Sequence, residues 1–280
     1  MQRTIRNLVL GLASIASLAC SAPVLAGRAC EEKPMTVNTL RQGLALAEST
    51  RQALEQGGAQ VYVLARAGQD LRRFGLDWSH LGFAYAANAP TGNTAGNTAG
   101  GGAGERQWRV VHKLNDCGSD QAAVYRQGLA EFFNDGPWRH EALLLPLKPA
   151  AADKLLTVLA NDRQAVTLHE PAYSVVAYPW SQKYQQSNQW AIETLAYAVS
   201  PGIRDRQRAQ AWLLFNGYQP TVLNLGAFER LGARMTRANV AFDDHPNRKR
   251  FSDHIETVTV ESVVHWLQSA GLAEPPTRIR

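Results

Sequence analysis

From residue 36 onward, apolar side chains recur first at helical spacing and then in alternation. Val37, Leu40, Leu44, Ala47 and Leu54 follow Thr36 or Asn38 as cap and precede Gly57-Gly58, which predicts an amphipathic helix with a glycine stop. Gln60 to Ala65, rich in Val and Tyr, predicts a strand that runs into a polar turn at Gly68 and Asp70. His80 to Ala86 and QWRVVHKLN (107 to 115) predict two more strands. Between them, residues 88 to 105 repeat GNTA and are almost all small or polar, a composition that cannot bury enough apolar surface to offset ordering. A flexible loop between two strand-like runs predicts a long antiparallel hairpin.

Further along, Ser119 to Phe133 reads as helix and Leu143 to Leu147 as a short buried strand. Lys148-Pro149 opens another helix, with Pro at an early position. Tyr173 to Val199 reads as an apolar strand passing through a polar turn into a helix that opens at Ser187. Arg204 to Phe215 is amphipathic, Val240 to Phe242 with Ile255 to Val260 reads as a late hairpin, and Glu261 to Ser269 is a last helix ending at Gly271. Strands interleaved irregularly with helices predict an α+β fold, an antiparallel sheet with packed helices. Without a repeat or a second hydrophobic unit, residues 27 to 280 are expected to form a single domain.

The first 26 residues stand apart from this pattern. Arg3 and Arg6 precede an apolar run from Leu8 to Leu18, and Val24-Leu25-Ala26 offers small residues for cleavage, the signature of a secretory signal peptide. The run is shorter than the roughly 20 residues of a spanning helix, so no stable membrane span is expected after cleavage. Ser17-Leu18-Ala19-Cys20 loosely resembles a lipoprotein box, with Ser17 where an aliphatic residue belongs. Export leads to the periplasm or the medium.

Removing the leader changes the charge and the cysteine arithmetic. A formal +5 becomes 27 basic against 24 acidic side chains, too small and too scattered an excess for a nucleic-acid partner. Of three cysteines, Cys30 and Cys117 survive, an even count in an oxidising compartment that predicts a disulfide. Closing a loop of roughly ninety residues would contribute about 4 kcal/mol. The competing reading makes Cys117 a nucleophile ahead of a helix capped by Ser119 or Asp120. The rest of the composition, 45 % hydrophobic and 19 % charged, is that of an ordinary globular protein.

Candidate chemistry centres on Ser187 and His80. A hydroxyl at a helix N-terminus sits where backbone amides stabilise developing negative charge, and a histidine opening a separate strand can serve it as base. In that scheme Ser187 attacks an acyl carbonyl and His80 takes and returns the proton. His112 orients the imidazole with Asn115 behind it, and the amides of Asn188 and Gln189 or the Gln186 side chain bind the oxyanion. Each residue also has a plain alternative: Ser187 as a helix cap, His80 and His112 as buried strand residues holding polar partners. Asp243, Asp244, His245, Asp253 and His254 are metal-ligand types, but Arg248, Lys249 and Arg250 share their loop and would repel a cation. No metal and no cofactor is expected, since neither an HExxH spacing nor a phosphate-cradling glycine motif is present.

The order of RAGQDL (66 to 71), SHLGFAYA (79 to 86), WRVVHKLN (108 to 115) and YSVVAYPWSQKYQQSNQW (173 to 190) resembles the exported bacterial family called domain of unknown function 2145, across essentially the whole mature chain. That family is in turn similar, over about half the chain, to circularly permuted papain-like proteins, the NlpC-type peptidase and lecithin retinol acyltransferase superfamily. The resemblance implies a permuted papain-like cleft with His80 at the superfamily's histidine and Ser187 at its catalytic cysteine. A thiol beside imidazole ionises readily, whereas a hydroxyl must lose its proton to a base during attack. Two expectations follow. One is an exported hydrolase or acyltransferase acting on envelope peptide, glycan or lipid. The other is a catalytically inactive binding or assembly module of the envelope.

Overall fold

The computed structural model describes residues 35–87, 106–236 and 238–280; the leader, Cys30 and the segment 88–105 lie outside them. The strands are β1 (Val61–Ala67), β2 (His80–Ala87), β3 (Gln107–Asn115), β4 (Ala122–Gln127), β5 (Arg139–Pro146), β6 (Thr221–Asn224), β7 (His254–Thr257) and β8 (Thr277–Ile279). The helices are α1 (Val37–Gly57), α2 (Leu129–Asn134), α3 (Pro149–Leu159), α4 (Asp162–Ala165), α5 (Ser187–Val199), α6 (Arg206–Phe215), α7 (Ala227–Thr236), α8 (Asn247–Arg250) and α9 (Val260–Ser269). Six strands form one antiparallel sheet in the order β4-β3-β2-β1-β5-β8, and β6 pairs with β7 in a small second sheet. The fold is therefore α+β with an antiparallel sheet and packed helices.

All seven residues of β1 are buried, because the central strand is covered on both faces. Alternation divides them. Val61, Val63, Ala65 and Ala67 join Leu81 and Phe83 of β2 in a large core with α3, α5, α6 and α9, whereas Tyr62 and Leu64 join Ala84 and Val110 in a smaller core under α1 and α2. At about 1.5–3 kcal/mol per fully buried large side chain, fully covered residues such as Trp190, Leu81 and Leu54 anchor these layers. The hairpin expected around residues 88–105 is realised, with Phe83 opposite Val111 and Ala87 opposite Gln107.

Several expectations are corrected. Ser119 to Phe133 is not one helix: Ala122–Gln127 forms edge strand β4, with Tyr125 opposite His112, and helix begins only at Leu129, after Gly128. Pairing with β3 overrides the local helical spacing. Tyr173 to Gln186 forms turns rather than a strand. The partner of Ile255 is Leu223, not the Val240–Phe242 segment, which instead packs Val240 and Phe242 into a third core with Leu223, Leu225 and Ile255. Strand β8 was hidden because its three residues find partners only on β5. In α1 the buried line is Gly43, Leu46, Ala47, Thr50 and Leu54, leaving Val37, Leu40 and Leu44 exposed. The helix that opens at Ser187 is capped by Gln186, whose side chain accepts from the Asn188 amide, so Ser187 is its first helical residue and not its cap.

Candidate functional site

Two buried polar layers lie on opposite faces of the large sheet, and adjacent residues of β3 found them. His112 points into the α1/α2 side with Phe132, and Lys113 points to the side of α5. On the first side, His80 and Arg66 are cross-strand neighbours, so both project onto the same face. His80 Nε2 lies 2.8 Å from His112 Nδ1, and His112 Nε2 lies 2.8 Å from Gln127 Oε1. Because Gln127 Oε1 only accepts, His112 carries its proton on Nε2 and offers Nδ1 as a lone pair, to which His80 donates Nε2–H.

This relay is possible because Gly82 lets β2 and β3 close in. A Cβ there would stand 2.8 Å from His112 Cβ and 2.9 Å from the Val111 carbonyl oxygen. The Phe132 ring floors the layer, 5.1 Å from the His112 ring, 5.9 Å from His80 and 4.8 Å from the Arg66 guanidinium. Arg66 donates to the Phe132 carbonyl and pairs with Asp135. Burial pushes the His80 pKa well below its usual range and that of His112 down to about 4, and the Arg66 charge acts in the same direction on both. Both imidazoles are therefore neutral at pH 7, as the relay requires.

On the other face, Lys113 donates to the carbonyls of Glu170 and Gln185 and to Gln185 Oε1, at 2.6, 2.8 and 3.0 Å. Three acceptors suit an ammonium, while burial and the Arg206 charge oppose it, leaving the pKa at about 7. Gln185 also donates to Glu193, fully buried in α5, which accepts from Gln189, Arg206 and Gln210 as well. Arg206 ties the network to the carbonyls of Ser181, Gln182 and Tyr184. The polar run before α5 is thereby fastened to α5 and α6. Sequence reasoning missed this network, along with Gln127 and Arg66.

The structure brings His80 and His112 together and places Ser187 with a different partner. The Ser187 hydroxyl lies 3.5 Å from the Tyr173 hydroxyl, and burial raises the Tyr173 pKa. Among the described residues no hydrogen bond joins Ser187 to either histidine. One connection runs through the next residue: Asn188 Oδ1 accepts from the Leu81 amide at 3.1 Å, holding the first turn of α5 against β2 on the face opposite the His80 side chain. The Asn188 amide is taken by Gln186 Oε1, and Gln186 Nε2 donates to Thr257 and Val258. Gln189 Nε2 donates to the Pro179 carbonyl and to Glu193. Asn115, on the Lys113 side of β3 by alternation, donates to the Asp116 carbonyl; Gln127 instead orients His112.

Cys117 lies in the turn between β3 and β4, and its expected partner Cys30 is outside the described residues. Among the described residues no group of three or more His, Cys, Asp or Glu side chains could hold a metal ion. Asp244 instead pairs with His245 and accepts from the Tyr178 amide, while Asp253 pairs with Arg230. No described helix is long and apolar enough to cross a membrane. Residues 53–267 match the model of one family, described as an uncharacterized protein conserved in bacteria (DUF2145). No curated protein and no solved structure matches the chain.

Proposed function

The chain belongs to the DUF2145 family of bacterial proteins, and from that premise we propose that it serves as a binding or assembly module of the bacterial envelope and performs no acyl chemistry. One observation carries the reading. His80, the base a serine hydrolase would need, donates to His112 in a layer where the two residues are 8 % and 0 % exposed, while Ser187 shares its hydroxyl with Tyr173. A general base must reach the proton it abstracts, and a serine hydroxyl without such a base is a poor nucleophile at neutral pH. Envelope location is supported by the basic, then apolar, N-terminus and by the even cysteine count beyond it. A Cys30–Cys117 bridge belongs to the same reading; mass spectrometry of exported protein under non-reducing conditions should find the two sulfurs joined, and two free thiols would refute it.

A serine hydrolase or acyltransferase of the permuted papain-like class is the second reading. The Asn188–Leu81 contact favours it, since it holds the start of α5 against the strand that His80 opens, with the His80 side chain on the other face. It would need Ser187 to leave Tyr173, His80 to leave His112, and substrate to enter a covered layer. Treatment of the purified protein with a fluorophosphonate probe separates the two readings. The binding module stays unlabelled, as do Ser187→Ala and His80→Ala. Labelling of wild type that disappears in both variants would establish the hydrolase.

A further inference from the structure

We infer that the lobe carrying α7, α8 and the paired strands β6 and β7 docks on an anionic lipid surface. The inference uses none of the histidine layer and stands whether or not Ser187 is a nucleophile. Phe228 and Leu231, one helical turn apart on α7, are 91 % and 57 % exposed, and Phe251, just after α8, is 69 % exposed. Two ties hold these segments side by side: the Leu225 amide donates to the Asp253 carbonyl at 3.0 Å, and Arg230 pairs with Asp253 at 2.5 Å. Apolar side chains presented by a helix and an adjoining turn, with polar groups behind them, suit insertion at the headgroup boundary.

The charges beside this apolar face select the partner. Among the described residues most of its carboxylates have partners within the protein: Asp253 on Arg230, Glu256 on Lys249, Asp243 on Lys183, and Asp244 on His245 and the Tyr178 amide. Glu229, exposed on α7, accepts from the Gly226 amide and keeps its charge, one carboxylate against two guanidinium groups. Arg248 and Arg250 have no carboxylate partner among the described residues. Arg250 lies over the Phe251 ring at 4.7 Å and donates to Asn247. Uncompensated guanidinium groups next to exposed phenylalanine are complementary to lipid phosphates above acyl chains. A second copy of the chain would bring the same positive charges into opposition across the contact.

Flotation of the purified protein with vesicles tests the assignment. Binding is expected to vesicles containing phosphatidylglycerol and not to pure phosphatidylcholine, and to weaken as salt is raised. Arg248→Gln with Arg250→Gln should lower partitioning by about tenfold or more. Phe228→Ser with Phe251→Ser should lower it by a similar factor of about ten. Phe228, Phe251 and Arg248 are solvent-facing and Arg250 is half-buried, so an unchanged melting temperature will confirm folding, and Val37→Ser with Leu40→Ser on α1 should leave partitioning unchanged. Equal partitioning to both vesicle types, no binding, or binding indifferent to both variants overturns the proposal. So does self-association in solution that depends on Phe228 and Phe251 without vesicle binding, which would assign the face to a second copy.

Discussion

His112 and Lys113 are consecutive in β3, yet each is the root of a different kind of buried polar layer. The histidine side is a short chain of neutral donors and acceptors ending at Gln127, beside a guanidinium paired with Asp135. The lysine side is an ionic network in which Glu193 receives donors from Gln185, Gln189, Arg206 and Gln210. The first is organised by close strand approach, the second by multiple hydrogen bonds that compensate charge. Burial alone therefore does not mark a catalytic site; what matters is whether a group has its partners already.

The comparison can be broken most forcefully at Glu193. Glu193→Ala leaves the Arg206 charge buried without its carboxylate, and urea unfolding should show a loss of about 3–5 kcal/mol. A loss under about 1 kcal/mol would mean that the network is solvated and not structural.

Acid should act on the histidine layer through His112 and base on the lysine layer through Lys113, with burial holding the pKa of His169, next to Glu170, at about 4 and adding to the acid side. His112 has a folded pKa of about 4 against 6.5, so the unfolded chain binds the extra proton between those values. Its contribution, on the order of 3 kcal/mol, is present above pH 6.5 and lost as pH falls through the window. His112→Asn should flatten that part of the stability profile. Lys113, at about 7 against 10.5, makes stability rise with pH from about 7 toward 10 by the same sign rule, and Lys113→Met should remove that rise. Equal slopes in wild type and variant would show the group to be solvated.

Gly82→Ala is the next largest test. The added Cβ meets β3 backbone and His112 at under 3 Å, so the strands must part, at a cost of about 1–3 kcal/mol. The histidine window should shrink in this variant while the lysine window persists. Changes in both would mean that the layers are coupled through the sheet.

Much of the fold was legible because its strands carry strong local patterns. HLGFAYA and WRVVHKLN alternate, and a low-complexity segment between them with no helix of its own favours an antiparallel return, so His80 and His112 could be placed on neighbouring strands. Their contact could not be derived, because it depends on register and on Gly82. Gln127 was hidden by reading Ser119 to Phe133 as helix, where an Ala-rich run offered helical spacing and only the edge of β3 made it a strand. Neither Glu193 nor Arg206 carries a signal of burial in its own segment; their burial comes from two helices meeting, a long-range fact absent from either. Ser187 was legible as a helix opening, but its hydroxyl partner Tyr173 lies where an apolar run reads as strand and folds as turns, so the contact had no pattern to announce it.

The most direct test of the account is a pair of double-mutant cycles in unfolding free energy. His80→Ala with His112→Ala should show coupling of about 1 kcal/mol or more, since the rings share a hydrogen bond, while His80→Ala with Ser187→Ala should be additive within about 0.5 kcal/mol. Strong coupling between His80 and Ser187, with little between the histidines, would contradict the separation of the two layers and return Ser187 to the service of His80.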